Sequence, residues 1–258
     1  MMSETVSMSI RDRVAVVTIE RPQHRNAVDL PTAKDLFAAF KSFDANDEAD
    51  VAILTGAGAA FCAGADLKAL AAGERKPVNP DGEFAPMGPT RLRLRKPVIA
   101  AIEGPAVAGG MELALWCDLR IVGRSAVLGI FNRRFGVPLV DLGTIRLPRL
   151  IGHGRALELI LTGRPVQAQE ALAIGLVNAV VDDGTALVNA LTWAQKMSAF
   201  PQNALRNDRM SVMEQWDLDE ASAIANEIKH GLATIQSGET LSGSSRFSDG
   251  VGRHGKFN

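Results

Sequence analysis

A chain of 258 residues has room for one large domain, or for one domain with a smaller appendage. Apolar residues at 47% and charged residues at 22% describe a protein with a substantial core, and a net charge of −1 excludes a global field that would recruit nucleic acid or an anionic membrane. Two cysteines, Cys62 and Cys117, lie far apart in apolar surroundings, which excludes a disulfide framework and points to a reducing, cytoplasmic setting.

The first ten residues carry no basic region followed by an apolar stretch, which argues against a secretory signal. No window reaches the roughly 18 uninterrupted apolar residues of a membrane span. Residues 14–19 (VAVVTI) form a β-branched run closed by Arg21-Pro22, a strand followed by a turn. Residues 31–43 place Leu36, Phe37, Phe40 and Phe43 at helical spacing. Buried strands are predicted over 51–55 (VAILT) and 97–102 (PVIAAI), then a helix from Gly109-Gly110 through Cys117 and a further strand over 119–122. Downstream, helices are predicted over 155–161, 168–174 and 185–197 and in two stretches between 204 and 235, with one strand over 176–181. Strands separated by helices indicate an α/β class with covered sheet faces. No fixed-period repeat is evident.

Residues 73–90 are irregular, with four prolines and three glycines; such a segment is either a lid beside a site or a tolerated surface loop. Residues 91–96 (RLRLRK) alternate charge and leucine, as a half-buried element with a solvated basic face does, or an anion site. Gly56-Ala57-Gly58 lacks the third glycine of a dinucleotide fingerprint, position 61 being Phe. His24, His153, His230 and His254 show no metal-ligand spacing, and no Gly-x-Ser-x-Gly elbow occurs.

Two segments carry the chemistry. Phe61-Cys62-Ala63-Gly64-Ala65-Asp66-Leu67 follows the strand at 51–55. Gly104-Pro105-Ala106-Val107-Ala108-Gly109-Gly110-Met111-Glu112-Leu113 follows the strand at 97–102. Both are small-residue turns from a strand's carboxyl end into a helix, where backbone N–H groups are exposed and a ligand can come close. Two such groups on one carbonyl oxygen would stabilise the charge that develops when a thioester enolises, each by about 3 kcal/mol. Close helix–strand packing would select the same small residues. Glu112 opens an apolar helix, so its carboxylate is either functional or an N-terminal cap.

FCAGADLKAL and AAIEGPAVAGGMELALWCD resemble the two signature segments of the crotonase (enoyl-CoA hydratase/isomerase) superfamily, and VTIERPQHRNAVD and GLVNAVV are similar to other stretches of it. The resemblance implies a spiral of β-β-α turns with a helical C-terminal region that drives trimer formation. The core with its CoA-thioester site would span residues 1–195, and the oligomerising region 196–258. It implies an acyl-CoA thioester substrate, no cofactor beyond that CoA, no metal, and a homotrimer or homohexamer. Ala65 and Gly109 would form the oxyanion hole and Glu112 would be catalytic. Arg25, Ala63, Asp66 and Lys68 would hold substrate or CoA, joined by Phe247 and Lys256 near the C-terminus.

Family hydratases carry a second glutamate where this chain has Asn132, which can orient water but cannot exchange a proton at neutral pH. Asp141, in GVPLVDLGT, resembles the catalytic aspartate of dienoyl-CoA isomerases, or caps the helix beginning there. Arg133 and Arg134 could meet a substrate carboxylate or pair with Glu112 or Asp141. The expected activity is hydration of a trans-2-enoyl-CoA. The alternatives are an isomerase or another crotonase reaction, or a catalytically silent CoA-thioester-binding protein.

Overall fold

The computed structural model describes residues 4–252. It opens with β1 (Val6–Arg11), a strand beyond those the sequence predicts, in which Val6, Met8 and Ile10 alternate with serines. It pairs antiparallel with β2 (Val14–Ile19). Next comes α1 (Leu30–Ala45), whose first turn is capped by Asp29 accepting from Thr32 N–H at 2.9 Å. The chain continues through β3 (Val51–Gly56), α2 (Leu67–Ala71), β4 (Val98–Ile102), β5 (Pro105–Val107), α3 (Gly109–Trp116), β6 (Leu119–Gly123) and β7 (Val127–Gly129). Then follow α4 (Gly143–Ile151), α5 (His153–Thr162), β8 (Val166–Gln167), α6 (Ala168–Ala173), β9 (Ala179–Val181) and α7 (Ala186–Ser198). The last helices are α8 (Gln202–Glu214), α9 (Glu220–Gln236) and α10 (Glu239–Ser248).

Six strands form one sheet in the order β1-β2-β3-β4-β6-β9, parallel throughout except for β1 against β2. A second sheet holds β5, β7 and β8. Parallel bridges from Val28 to Ala65 and from Cys62 to Ala106 extend this second layer toward the start of the chain. Each turn therefore leaves the large sheet, touches the second layer and enters a helix or helical turn. β3, Cys62–Ala65 and α2 make one such turn, and β4, β5 and α3 make the next. This is the β-β-α spiral, and it explains why β3 and β4 read as unbroken apolar runs: both are covered on both faces.

The chain divides after Gln195 into two compact units. In the first, Phe40 and Phe43 of α1 are fully buried, and Phe40 meets Trp116 edge to face at 4.7 Å between centroids. Arg120 is buried on β6, where its guanidinium donates to the carbonyls of Leu176, Ala114, Cys117 and Asp118. In residues 91–96, Leu92, Leu94 and Lys96 turn inward while Arg93 and Arg95 face out. Lys96 is spent on the carbonyls of Phe43 and Asn46, and the half-buried reading of this segment holds.

In the second unit, α8 and α9 run antiparallel, tied by Asn207 to Thr234 and by Glu214 to His230. Glu239, opening α10, accepts from the N–H groups of Asn203 and Ala204 at the start of α8. Ile224, Ile228, Leu232 and Ile235 form a stripe on α9, each about half exposed. Among the described residues, no helix is long and apolar enough to cross a membrane.

Candidate active site

The two signature loops are bonded to each other. Cys62 N–H donates to Pro105 O, and Val107 N–H donates to Cys62 O, each at 3.0 Å. Glycine makes this approach possible: a Cβ on Gly110 would stand 2.1 Å from the Cys62 carbonyl oxygen. Gly64, at φ +96°, would likewise bring a Cβ within 2.9 Å of Gly109 N. Ala108 adopts φ 53° and ψ −125° without being glycine, a strained conformation that turns the chain into α3. The N–H groups of Ala65 and Gly109, one on each loop, donate to no acceptor among the described residues.

Both residues line a cavity of about 430 Å³. Its walls are mainly apolar, with Leu70, Val78, Met87, Phe131, Phe135 and Val137 among them. Arg75, Lys76, Val78, Pro86 and Met87 come from the irregular 73–90 segment, which is thus part of the site wall and not a bystander loop.

Two carboxyl groups face the same cavity. Glu112, 1% exposed, accepts from the backbone N–H groups of Asp141 (3.0 Å) and Gly143 (2.9 Å), both through Oε1. The capping alternative is thereby corrected: Glu112 caps not its own helix but the start of α4. Burial, reinforced by the nearby charge of Asp141, pushes its pKa up to about 8. Asp141, 2% exposed, accepts through Oδ1 from Met87 N–H at 2.9 Å and from the Thr90 hydroxyl. Its side chain makes no bond to α4, which is preceded by Leu142 at the capping position and has no side-chain cap there, so the cap reading of Asp141 also falls. Burial raises its pKa, against the pull of its two hydrogen bonds.

The cations around this pair differ from those the sequence suggests. Arg134 stacks on the Phe131 ring at 3.7 Å and donates to Gly163 O, and neither Arg133 nor Arg134 is bonded to the carboxyl group of Glu112 or Asp141. Arg146 of α4 is there instead, donating to the carbonyls of Asp141 and Thr90, its pKa lowered by burial to about 10. Lys76 lines the cavity and donates to Val28 O at 2.6 Å. Burial lowers its pKa, opposed by the carboxylates of Glu74 and Asp141. Neither has a local sequence signal: Arg146 lies in a helix interrupted by Pro148, and Lys76 in a structureless run.

Ala63 and Asn132 line the cavity. Asp66 does not. Its carboxylate accepts from Lys68 N–H, Ala69 N–H and Arg21, so it caps α2 and fixes the first loop. Burial opposes its ionisation, but these bonds outweigh it and hold the pKa below the ordinary value. Arg25 contributes its carbonyl, which accepts from Ala63 N–H at 3.0 Å. Lys68 lies on α2 outside the cavity wall. Phe247 is exposed on α10 of the second unit, and Lys256 lies outside the described residues.

A β-β-α spiral carrying its cavity at the carboxyl ends of successive strands, with a helical C-terminal unit, defines a protein of the crotonase fold. The enoyl-CoA hydratase/isomerase family model matches residues 9–251. The enoyl-CoA hydratase EchA19 of Mycobacterium tuberculosis is 35% identical over 246 residues, covering 93% of this chain and 91% of that protein. The short-chain-enoyl-CoA hydratase of Clostridium acetobutylicum is 38% identical, covering 83% of this chain and 84% of that one. The crystal structure of the enoyl-CoA hydratase EchA1 from Mycobacterium marinum superposes with a TM-score of 0.90 at 36% identity over 96% of each chain. The chain belongs to the enoyl-CoA hydratase/isomerase family.

Proposed function

We propose that this protein is an enoyl-CoA hydratase that adds water across the double bond of a trans-2-enoyl-CoA. The observation that carries the reading is a pair of buried carboxyl groups, Glu112 and Asp141, both held above their ordinary pKa on the wall that also presents the unspent N–H groups of Ala65 and Gly109. Hydration needs a proton acceptor for the attacking water and a proton donor for the α-carbon. With its pKa near 8, Glu112 holds a proton at neutral pH and is the donor, which leaves Asp141, the other carboxyl group on the wall, as the base. Water loses a proton to Asp141 and its oxygen bonds to C3. The double-bond electrons pass to the thioester oxygen, where the two N–H groups receive the charge. The enolate then takes the Glu112 proton at C2, and the proton left on Asp141 restores the pair through solvent.

The thioester's CoA is part of the substrate, and Arg25, Ala63 and Lys68 mark the expected path of its pantetheine arm and phosphates. The two buried free thiols, Cys62 raised to about 12 by burial and Cys117 raised further by the same cause, support a reducing cytoplasm. The apolar stripe on α9 supports assembly into a trimer or hexamer.

A second reading has its own support. Asn132 offers no proton, so a Glu112/Asp141 pair could instead shuttle one between carbons as an isomerase does. Loss of conjugated-thioester absorbance with crotonyl-CoA, run with Asp141→Asn alongside, tests the choice. Hydration that drops by about 10²-fold or more in the variant supports the hydratase with Asp141 as base. No hydration, with turnover of a 3-enoyl-CoA, overturns it in favour of the isomerase.

A further inference from the structure

Asn132 lies in a helical turn (Phe131–Phe135) between β7 and α4 and is 3% exposed in the cavity wall that holds Glu112 and Asp141. Its backbone is fixed, because its carbonyl accepts from the N–H groups of Gly136 and Val137. Its side-chain nitrogen points to Pro138 O at 3.5 Å, at the long limit of a hydrogen bond. Its Oδ1 has no hydrogen-bond partner among the described residues. A buried carbonyl oxygen left without a donor is unfavourable and rare, and in a cavity wall it suits a ligand that brings the donor. The neighbouring wall residues Phe131, Val137 and Pro138 offer no side-chain donor, and the nearby cations Arg75 and Lys76 already donate to backbone carbonyls.

We propose that Asn132 is a positioning residue whose Oδ1 accepts a hydrogen bond from the oxygen at C3 of the acyl group: the attacking water in hydration, the hydroxyl of a 3-hydroxyacyl thioester in the reverse direction. The inference rests on the hydratase reading and assigns the two protons of the water. One transfers to Asp141. The other stays on the oxygen and points at Asn132, which leaves a lone pair facing C3. Asn132 itself gains and loses nothing, as an amide must at neutral pH. The substrates it favours are therefore those whose C3 carries, or is about to carry, a hydroxyl.

The test compares binding of two thioesters that differ only at that oxygen, 3-hydroxybutyryl-CoA and butyryl-CoA, to the wild type and to Asn132→Leu, which keeps the volume and removes the acceptor. The wild type should bind the hydroxylated thioester more tightly. The variant should lose roughly tenfold or more of that preference, keep its affinity for butyryl-CoA, and lose crotonyl-CoA hydration mainly in kcat. Equal weakening toward both ligands, or an unchanged ratio, overturns the proposal by reducing Asn132 to a wall residue. Should the Leu variant fail to fold, Asn132→Ala reads the same ratio. Because the ratio is an equilibrium quantity, it decides the role of Asn132 even if the wild type hydrates nothing, an outcome that would separately sink the hydratase reading.

Discussion

Glu112 lies on a helix in which every residue is buried, so its charge is compensated by a proton, by the two N–H groups of residues 141 and 143, or by the nearby Arg146. Unfolded, the group ionises near its ordinary 4.5; folded, near 8. Between those values the folded state binds a proton that the unfolded state has released, so stability falls as pH rises through the window and levels off above it. Asp141, raised in the same direction, adds the same sign. Glu112→Gln keeps an oxygen for the two N–H donors but cannot ionise. Its Tm should be flatter than the wild type's between about pH 5 and 8, with the variant the more stable at the alkaline end, as thermal denaturation across a pH series will show. Its hydration rate should drop by about 10² to 10⁴, the usual worth of a positioned acid. In the wild type, kcat/KM should decline above about pH 8 as the donor proton is lost. An alkaline limb that persists unchanged in Glu112→Gln would assign it to another group.

At the scale of elements, the site depends on how closely two strand-to-helix turns approach. Gly110→Ala would drive a methyl into the Cys62 carbonyl, which belongs to backbone and cannot swing aside. The expected result is a loss of about 2 kcal/mol or more in chemical denaturation, with activity falling further than stability because the two N–H groups no longer converge. A variant as active as the wild type would mean that the loops need no such contact. These turns were legible in sequence because small residues at a strand's carboxyl end are constrained by both backbone conformation and approach. β3, β4 and α3 were legible for the uniformity of their apolar runs. β5, β7 and β8 were not, since two or three residues cannot display a period. α10 was hidden by its serines and glycine, poor helix formers held by packing and by Glu239. In the site, Met87, Thr90 and Arg146 escaped notice because they act through a hydrogen bond to a residue roughly fifty positions away or through a backbone carbonyl, and no local pattern marks such a partner.

For the whole molecule, the apolar stripe of α9 is the exposed face that calls for a cover. Ile228 and Leu232 lie one helical turn apart in its middle, both about half exposed. If a second copy covers the stripe, Ile228→Glu with Leu232→Glu should shift the sedimentation coefficient from that of a trimer or hexamer to that of a monomer. An unchanged assembly would move the interface elsewhere.

The clamp from α4 onto Glu112 also has a bearing on how the chain is made. Synthesis proceeds from the N-terminus, so α3 and the sheet strands before it leave the ribosome well before residues 141–143. During that interval the Glu112 carboxyl group has neither of its N–H donors, and burying α3 against β4 and β5 would leave its Oε1 without a hydrogen-bond partner. The nascent protein therefore has a natural pause: the third turn of the spiral can close fully only after the fourth has supplied its backbone. A ribosome-bound chain stalled before Asp141 emerges should hold α3 loosely, and one stalled well after Gly143 should hold it shut.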